Sequence, residues 1–224
     1  MNLREQYGIP HDAIISVAGT VGVGKSTFTL KLAEALGFKT SMEKVENNPY
    51  LEKYYHDFQR WAFNMQIYFL GERFKEQKRM FQYGGGFVQD RSIYEDTSIF
   101  AKMHHDKGTI SDEDFDTYQS LFEAMVLTPY FPKPDLVIYL EGDLEEVLHR
   151  IGNRGRQMEI DTPKDYWEEL HLRYKTWIDN FNDAPLLRLN IKEYDLLHDE
   201  NAIHFILKKI SRIMGSIPQK NSGC

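Results

Sequence analysis

Cysteine is all but missing from this chain of 224 residues: the single one, Cys224, is the last residue. No intrachain disulfide can form, which fits a reducing, cytoplasmic setting. Long apolar runs are missing too. The longest, such as Ala13–Ala18 and Leu136–Leu140, are strand-sized, far short of the ~20 residues a membrane helix needs. The first residues, MNLREQYGIPHD, hold no apolar core of signal-peptide kind. Proline is sparse, with eight residues, and no stretch rich in Pro, Gly or Ser divides the chain. One domain over residues 1–224 is therefore expected, with a fraying tail over 216–224. Positive charge is in deficit: 27 Lys and Arg against 34 Asp and Glu leave −7. So acidic a chain does not hold nucleic acid or an anionic membrane through bulk charge, although a local pocket can still hold phosphate.

What is present alternates. Ala13–Ala18 reads as a strand buried on both faces, and Ser26–Leu36 as a helix with Phe28, Leu32 and Leu36 on one side, stopped by Gly37. Lys39–Met42, Phe87–Gln89, Leu136–Leu140 and Leu186–Ile191 read as further strands. Asp57–Phe81, Tyr94–His105, Asp112–Leu127, Leu144–Ile151, Pro163–Phe181 and Asn201–Met214 read as helices. Strand–helix alternation with apolar strands predicts an α/β fold, a five-stranded parallel sheet with helices on both faces. Ligands of such sheets bind beyond the carboxyl ends of the strands, where Gly19, Glu43 and Asp90 fall.

Gly19-Thr20-Val21-Gly22-Val23-Gly24-Lys25-Ser26 fits G-x-x-x-x-G-K-[ST] between a strand and a helix. Glycines let successive N–H groups converge on an anion, and the helix start adds positive partial charge. Lys25 would reach the terminal phosphates of ATP and the Ser26 hydroxyl would bind Mg²⁺. The motifs that accompany this loop in regulatory GTPases, Asn-Lys-x-Asp and Asp-x-x-Gly, do not occur.

A small-molecule kinase needs a group for the acceptor hydroxyl and cations around the moving phosphoryl group. Glu43 is a candidate base; alone, it also reads as a solvated member of the charged run Glu43–Glu46. Asp90-Arg91-Ser92 offers a Mg²⁺ partner and an anion clamp, or a plain surface ion pair. Arg150, Arg154 and Arg156, interrupted by Gly152 and Gly155, read as an arginine-rich lid over about 150–160, or as a basic surface turn. Gln66 sits among apolar neighbours in the long helix; its amide reads a base edge or points to solvent. His104, His105 and His149 lack companions for a transition-metal site.

The stretches GTVGVGKST, MEKVENNPYLEKYYHD, WAFNMQIYFLGERF, QDRSIYEDTSIFAK and HRIGNRGRQME together resemble the deoxynucleoside kinases, in particular the bacterial enzymes for deoxyadenosine and deoxycytidine. YWEELHLRYKTW continues the likeness. The resemblance implies a P-loop kinase fold, ATP and Mg²⁺ as partners, a homodimer, and 5′-phosphorylation of a deoxynucleoside. It makes Glu43 the base for the 5′-hydroxyl, and Tyr55 with Glu159 the holders of the 3′-hydroxyl. It makes Gln66 the base reader, Phe100 its stacking partner, and Arg73 with Asp96 paired charges lining the base pocket. Asp90 and Arg91 take the family's acid-Arg-Ser places, where animal members usually have Glu for Asp90. Thr27 joins the phosphate-binding residues, Arg150, Arg154 and Arg156 match the lid arginines, and an adenine loop is expected near Lys192–Asp195. Within the class, a deoxyguanosine kinase or a nucleoside-monophosphate kinase remains open. Outside it stands a non-catalytic ATP-binding regulator.

Overall fold

The computed structural model describes residues 2–43, 45, 48–199 and 201–216. The tail 217–224 and most of the charged run after Glu43 lie outside the described residues. In chain order come α1 (Leu3–Gln6), β1 (Ile14–Ala18), α2 (Lys25–Leu36), β2 (Lys39–Ser41), α3 (Leu51–His56) and α4 (Phe58–Tyr83). Then follow β3 (Phe87–Asp90), α5 (Ile93–Glu95), a π-helical stretch (Asp96–Ala101), α6 (Lys102–Asp106) and α7 (Asp112–Val126). The rest is β4 (Leu136–Glu141), α8 (Leu144–Arg154), α9 (Gln157–Ile160), α10 (Lys164–Asp179), β5 (Leu186–Asn190) and α11 (Ala202–Met214).

The five strands pair in parallel in the order β2-β3-β1-β4-β5. β1 and β4 consist of Ile, Val, Leu and Ala with little polar relief, and both are buried almost throughout. Such strands need cover on two sides. On one face Ser16 Oγ donates to Gln89 Oε1 across the sheet at 3.2 Å, and Gln77 Nε2 of α4 donates to the same oxygen at 3.2 Å. On the other, Ser26 of α2 reaches Asp90 on β3. The α2 stripe of Phe28, Leu32 and Leu36 is buried in the core with Ile206, Leu207 and Ile210 of α11; each such side chain contributes ~1.5–3 kcal/mol of burial. A second apolar cluster lies under α4 and α7, around Met65, Leu70, Phe115 and Tyr118.

Helix ends follow their caps. α2 stops at Gly37, whose positive φ of 66° turns the chain so that Phe38 N donates back to Ala33 O at 2.9 Å. Three expectations change. Asp90 is the last residue of β3, not the first after it, because Val17 still lies opposite and Arg91 N donates to Val17 O at 2.9 Å. α8 runs on through Gly152 to Arg154, so Gly152 is helical and only Gly155, at φ 72°, makes a turn. Residues 94–105 are not one regular helix: the hydrogen bonding slips to the π pattern over Asp96–Ala101, a geometry often found at functional sites.

α4 presents Gln66 and Arg73, and its start depends on Asp57, whose carboxylate accepts from Arg60 N at 3.0 Å. Replacing Asp57 by Ala should lower stability by ~1 kcal/mol and Asp57→Asn by much less. Urea unfolding of the three proteins checks this; equal midpoints would show that the cap is idle.

Candidate active site

After β1 the chain turns through Gly19–Gly24 into α2. Gly22 sits at φ 83°, and a Cβ there would come within 2.7 Å of Ile151 Cγ1. Only glycine lets this loop tuck under α8. Gly24, at φ 103°, precedes α2 and offers no side-chain cap, so the first helical N–H groups keep their capacity for an anion. Lys25 is buried and its Nζ donates to Thr20 O at 2.9 Å. Burial, with Arg91 nearby, brings its pKa down to about 8 against the pull of Asp90, Glu43 and Glu95. Ser26 Oγ donates to Asp90 Oδ2 at 2.6 Å, while Asp90 Oδ1 is buried with no hydrogen-bond partner among the described residues. A hydroxyl oxygen beside an unsatisfied carboxylate oxygen is a donor set that a hard divalent cation takes, so these residues fit Mg²⁺.

Behind the loop lies a cluster of buried charge. Arg73 donates from Nε to Asp96 Oδ2 at 2.9 Å, from one terminal nitrogen to Asp90 O at 2.8 Å, and from the other to Glu43 Oε1 at 3.1 Å. Arg91 Nε lies 2.9 Å from that same Glu43 oxygen. Burial alone would push Glu43 up, but Arg91, Arg73, Lys25 and Arg154 outweigh it and hold the carboxyl below its ordinary range. Asp96 goes the other way: burial wins over Arg73 and Arg91 and raises it. Arg91 is the one described non-glycine residue at positive φ, 67°, a strained conformation that the surrounding contacts must enforce.

A cavity of about 360 Å³ opens against this cluster, a size that suits a small ligand. Glu43, Tyr55, Gln66, Arg91, Asp96, Phe100 and Glu159, all expected from the sequence, line it together with Val21, Gly22, Gly24, Lys25, Ser26 and Thr27. Arg73 does not: it stands behind Glu43 and Asp96, because all its donors point at them and at Asp90 O. Asp90, Gly19, Thr20 and Val23 also stay outside the lining. Gly19 N–H is turned to Glu95 at 3.3 Å, not to a phosphate. Gln66 is only 2% exposed, yet among the described residues its amide makes no protein hydrogen bond. Arg150 donates to Val23 O at 3.2 Å; Arg154 and Arg156 both grip Glu159, the latter at 3.3 Å. Lys192–Asp195 does not line the cavity; its Tyr194 packs edge-on to Phe28 of α2 and lies near Arg150.

The family model for deoxynucleoside kinases matches residues 15–215. The chain belongs to the deoxynucleoside kinase family. It is 65% identical over 210 residues to the deoxyadenosine/deoxycytidine kinase of Bacillus subtilis (strain 168), covering 94% of this chain and 97% of the relative. It is 37% identical to the deoxyadenosine kinase of Lactobacillus acidophilus, covering 91% and 97%. Among solved structures, the M. mycoides deoxyadenosine kinase with products dCMP and a flexible dCDP superposes with a TM-score of 0.77 at 34% identity, over 89% of this chain and 100% of that one. Among the described residues, no helix is long and apolar enough to cross a membrane.

This deoxynucleoside kinase cavity has a further wall that the sequence reading passed over. Tyr54 and Tyr166 line it, their hydroxyls 2.9 Å apart, and Tyr54 OH is 2.6 Å from His104 Nε2. Thr109 Oγ1 sits 2.8 Å from His104 Nδ1. Two tyrosines next to aromatic neighbours look like plain core, and His104 carried no ligand spacing, so nothing local marked them. Glu95 had a signal: Ser92-x-x-Glu95 is a capping box, and the structure forms it.

Burial brings the His104 pKa from 6.5 down to about 4. The unfolded chain therefore takes up this proton first, and stability should fall as pH drops from 6.5 towards 4, by up to ~1.4 kcal/mol per pH unit from this group. His104→Gln should show a shallower fall over that window in denaturation at several pH values. Parallel slopes in the two proteins would contradict the assignment.

Proposed function

We propose that this enzyme transfers the γ-phosphoryl group of ATP to the 5′-hydroxyl of deoxyadenosine and deoxycytidine, giving the monophosphates. One observation carries the reading. An ionised carboxylate, Glu43, is pinned between Arg73 and Arg91 in the same cavity as the phosphate-loop Lys25 and the unpaired amide of Gln66. Acceptor, donor and base reader then share one enclosed space.

In this reading Glu43 accepts a hydrogen bond from the 5′-hydroxyl and takes its proton as the new P–O bond forms. Its lowered pKa makes it a weak base that is always charged, which suits a loose transition state where positioning matters most. Lys25, Arg150, Arg154 and Arg156 meet the phosphates. Both Arg154 and Arg156 are now spent on Glu159, so a bound triphosphate competes with that carboxylate for them. Tyr55 and Glu159 take the 3′-hydroxyl. Ser26 and Asp90 hold Mg²⁺, which when bound offsets charge on the transferring phosphate. The Gln66 amide offers a donor beside an acceptor, the pattern shared by the edges of adenine and cytosine, and Phe100 supplies a stacking face.

The monophosphate-kinase alternative needs cations for an acceptor phosphate. Arg60, the arginine closest to Gln66 along the chain, is exposed, bonds Asn64 at 3.2 Å and covers the Trp61 ring, outside the cavity. The family likeness further supports a cytoplasmic homodimer, for which Phe81 of α4 and Leu121 of α7 offer exposed apolar surface.

A coupled assay of the four natural deoxynucleosides with ATP and Mg²⁺ tests the proposal. Deoxyadenosine and deoxycytidine should turn over best, and Lys25→Ala should remove activity, since a charge in a water-excluded site is typically worth at least ~10²-fold. Preference for deoxyguanosine, or an unimpaired Lys25→Ala enzyme, would overturn it.

A further inference from the structure

β1 and β3 run side by side and then part, one into the phosphate loop and the other into the loop that carries Arg91. Their register sets Val17 opposite Asp90; carried two residues on, it would set Gly19 opposite Ser92. The strand ladder has ended there, and both N–H groups need another acceptor. Glu95 provides it. Its Oε1 accepts from Gly19 N at 3.3 Å and its Oε2 from Ser92 N at 2.9 Å. The same carboxylate accepts from Tyr174 OH at 3.0 Å, and that hydroxyl oxygen accepts from Arg91 at 2.9 Å.

Glu95 is 0% exposed, does not line the cavity and makes no direct ion pair among the described residues. Burial raises its pKa against the pull of Arg91 and Lys25, the cost of keeping an acid fully inside. An apolar residue in an ordinary cap would avoid that cost. What only a carboxylate can do here is accept from Gly19, from the Ser92 N–H and hydroxyl, and from Tyr174 at once.

We propose that Glu95 and Tyr174 form a positioning unit, in which one buried carboxylate ties the root of the phosphate loop to the guanidinium that clamps Glu43. The inference rests on the kinase reading above. Arg91 is held at φ 67°, its guanidinium 4.7 Å over the Phe100 ring. Tyr174 supplies a neutral acceptor that fixes the far side of that guanidinium, with Nε held 2.9 Å from Glu43. Neither Glu95 nor Tyr174 touches the reacting atoms. They set the distance between the loop that receives ATP and the carboxylate that receives the hydroxyl.

Tyr174→Phe and Glu95→Gln, made in the full chain, test this. Tyr174→Phe deletes one oxygen and keeps the ring against Phe100 and Trp177. Glu95→Gln keeps the shape but turns an N–H towards one side of this set of donors. Each should lower kcat on the order of 10- to 100-fold, as small misplacements at a reacting centre do, with the deoxynucleoside KM changing less. The double variant should be no slower than the worse single one, because both act through one chain of bonds. A purely structural role would lower the melting temperature and leave kcat intact well below it. Tyr174→Phe within about twofold of parent kcat, or effects that multiply in the double variant, would overturn the inference. Should Glu95→Gln not fold, Tyr174→Phe alone decides. A parent protein without turnover would sink the kinase reading instead, and the inference would then be judged on ATP affinity by calorimetry: weaker in Glu95→Gln supports it, unchanged overturns it.

Discussion

Glu43 shares one carboxylate oxygen between two buried guanidinium groups, Arg73 at 3.1 Å and Arg91 at 2.9 Å. Bringing such charges out of water is expensive, and the attraction between them repays that cost only when the geometry is good and the remaining donors are used. Most are used here. Arg73 spends its other nitrogens on Asp96 and on the Asp90 carbonyl, and Arg91 spends one on Tyr174, while its Nε meets Glu43 at ion-pair distance without hydrogen-bond alignment. The cluster is therefore a weak source of net stability and a strong constraint on shape. Removing a partner so that a buried charge is left uncompensated costs ~3–5 kcal/mol. Each member arrives on a different element: Glu43 after β2, Arg73 on α4, Arg91 after β3 and Asp96 at the start of the π-helical stretch. Satisfying the charges fixes those elements against one another.

The fold delivers these groups because the strands are parallel and their carboxyl ends face one way. β1 leads to Lys25, β2 to Glu43 and β3 to Asp90 and Arg91, so three consecutive strand ends supply the side chains proposed to react. α8 is pressed onto the phosphate loop at Gly22, where no side chain would fit. That contact links the helix carrying Arg150 and Arg154 to the Gly19–Ser26 loop. Arg154 and Arg156, meanwhile, neutralise Glu159 across the Gly155 turn. The arginines proposed as a lid thus rest on the carboxylate proposed for the sugar, so in that reading phosphate and sugar binding draw on the same three side chains.

Much of this was legible in the sequence. The phosphate loop could be read from spacing alone, because strand, glycines, Lys25 and helix each follow local rules. Four of the strands were recognisable as short runs rich in apolar residues, while β2, Lys-Thr-Ser, followed only from its place in the alternation; the longer helices showed 3.6-residue patterns, and the short α1, α3 and α9 went unread. Glu43 and Gln66 each had a plain surface reading, and only the convergence of five separated motifs on one family chose between the two. What stayed hidden is tertiary. Hydrophobic period does not register a slip from α to π bonding, so Asp96–Ala101 read as ordinary helix. No local rule places Arg91 at positive φ. Arg73 was expected on the pocket wall and stands one layer behind it, since nothing in α4 reveals that its donors are consumed by three acceptors from elsewhere. Gly152 read as a hinge, yet an isolated glycine is tolerated inside a helix at modest cost.

The central claim is that a clamped, ionised Glu43 receives the acceptor hydroxyl. Glu43→Gln tests it most directly: the amide keeps size and polarity but takes no proton at neutral pH. Steady-state kinetics with deoxyadenosine and deoxycytidine should show kcat lower by about 10²–10⁴-fold. Calorimetry on the same folded protein should show deoxynucleoside binding retained. A variant whose kcat stays within about threefold of the parent would contradict the account and move the base to another group, with Asp90 the next candidate.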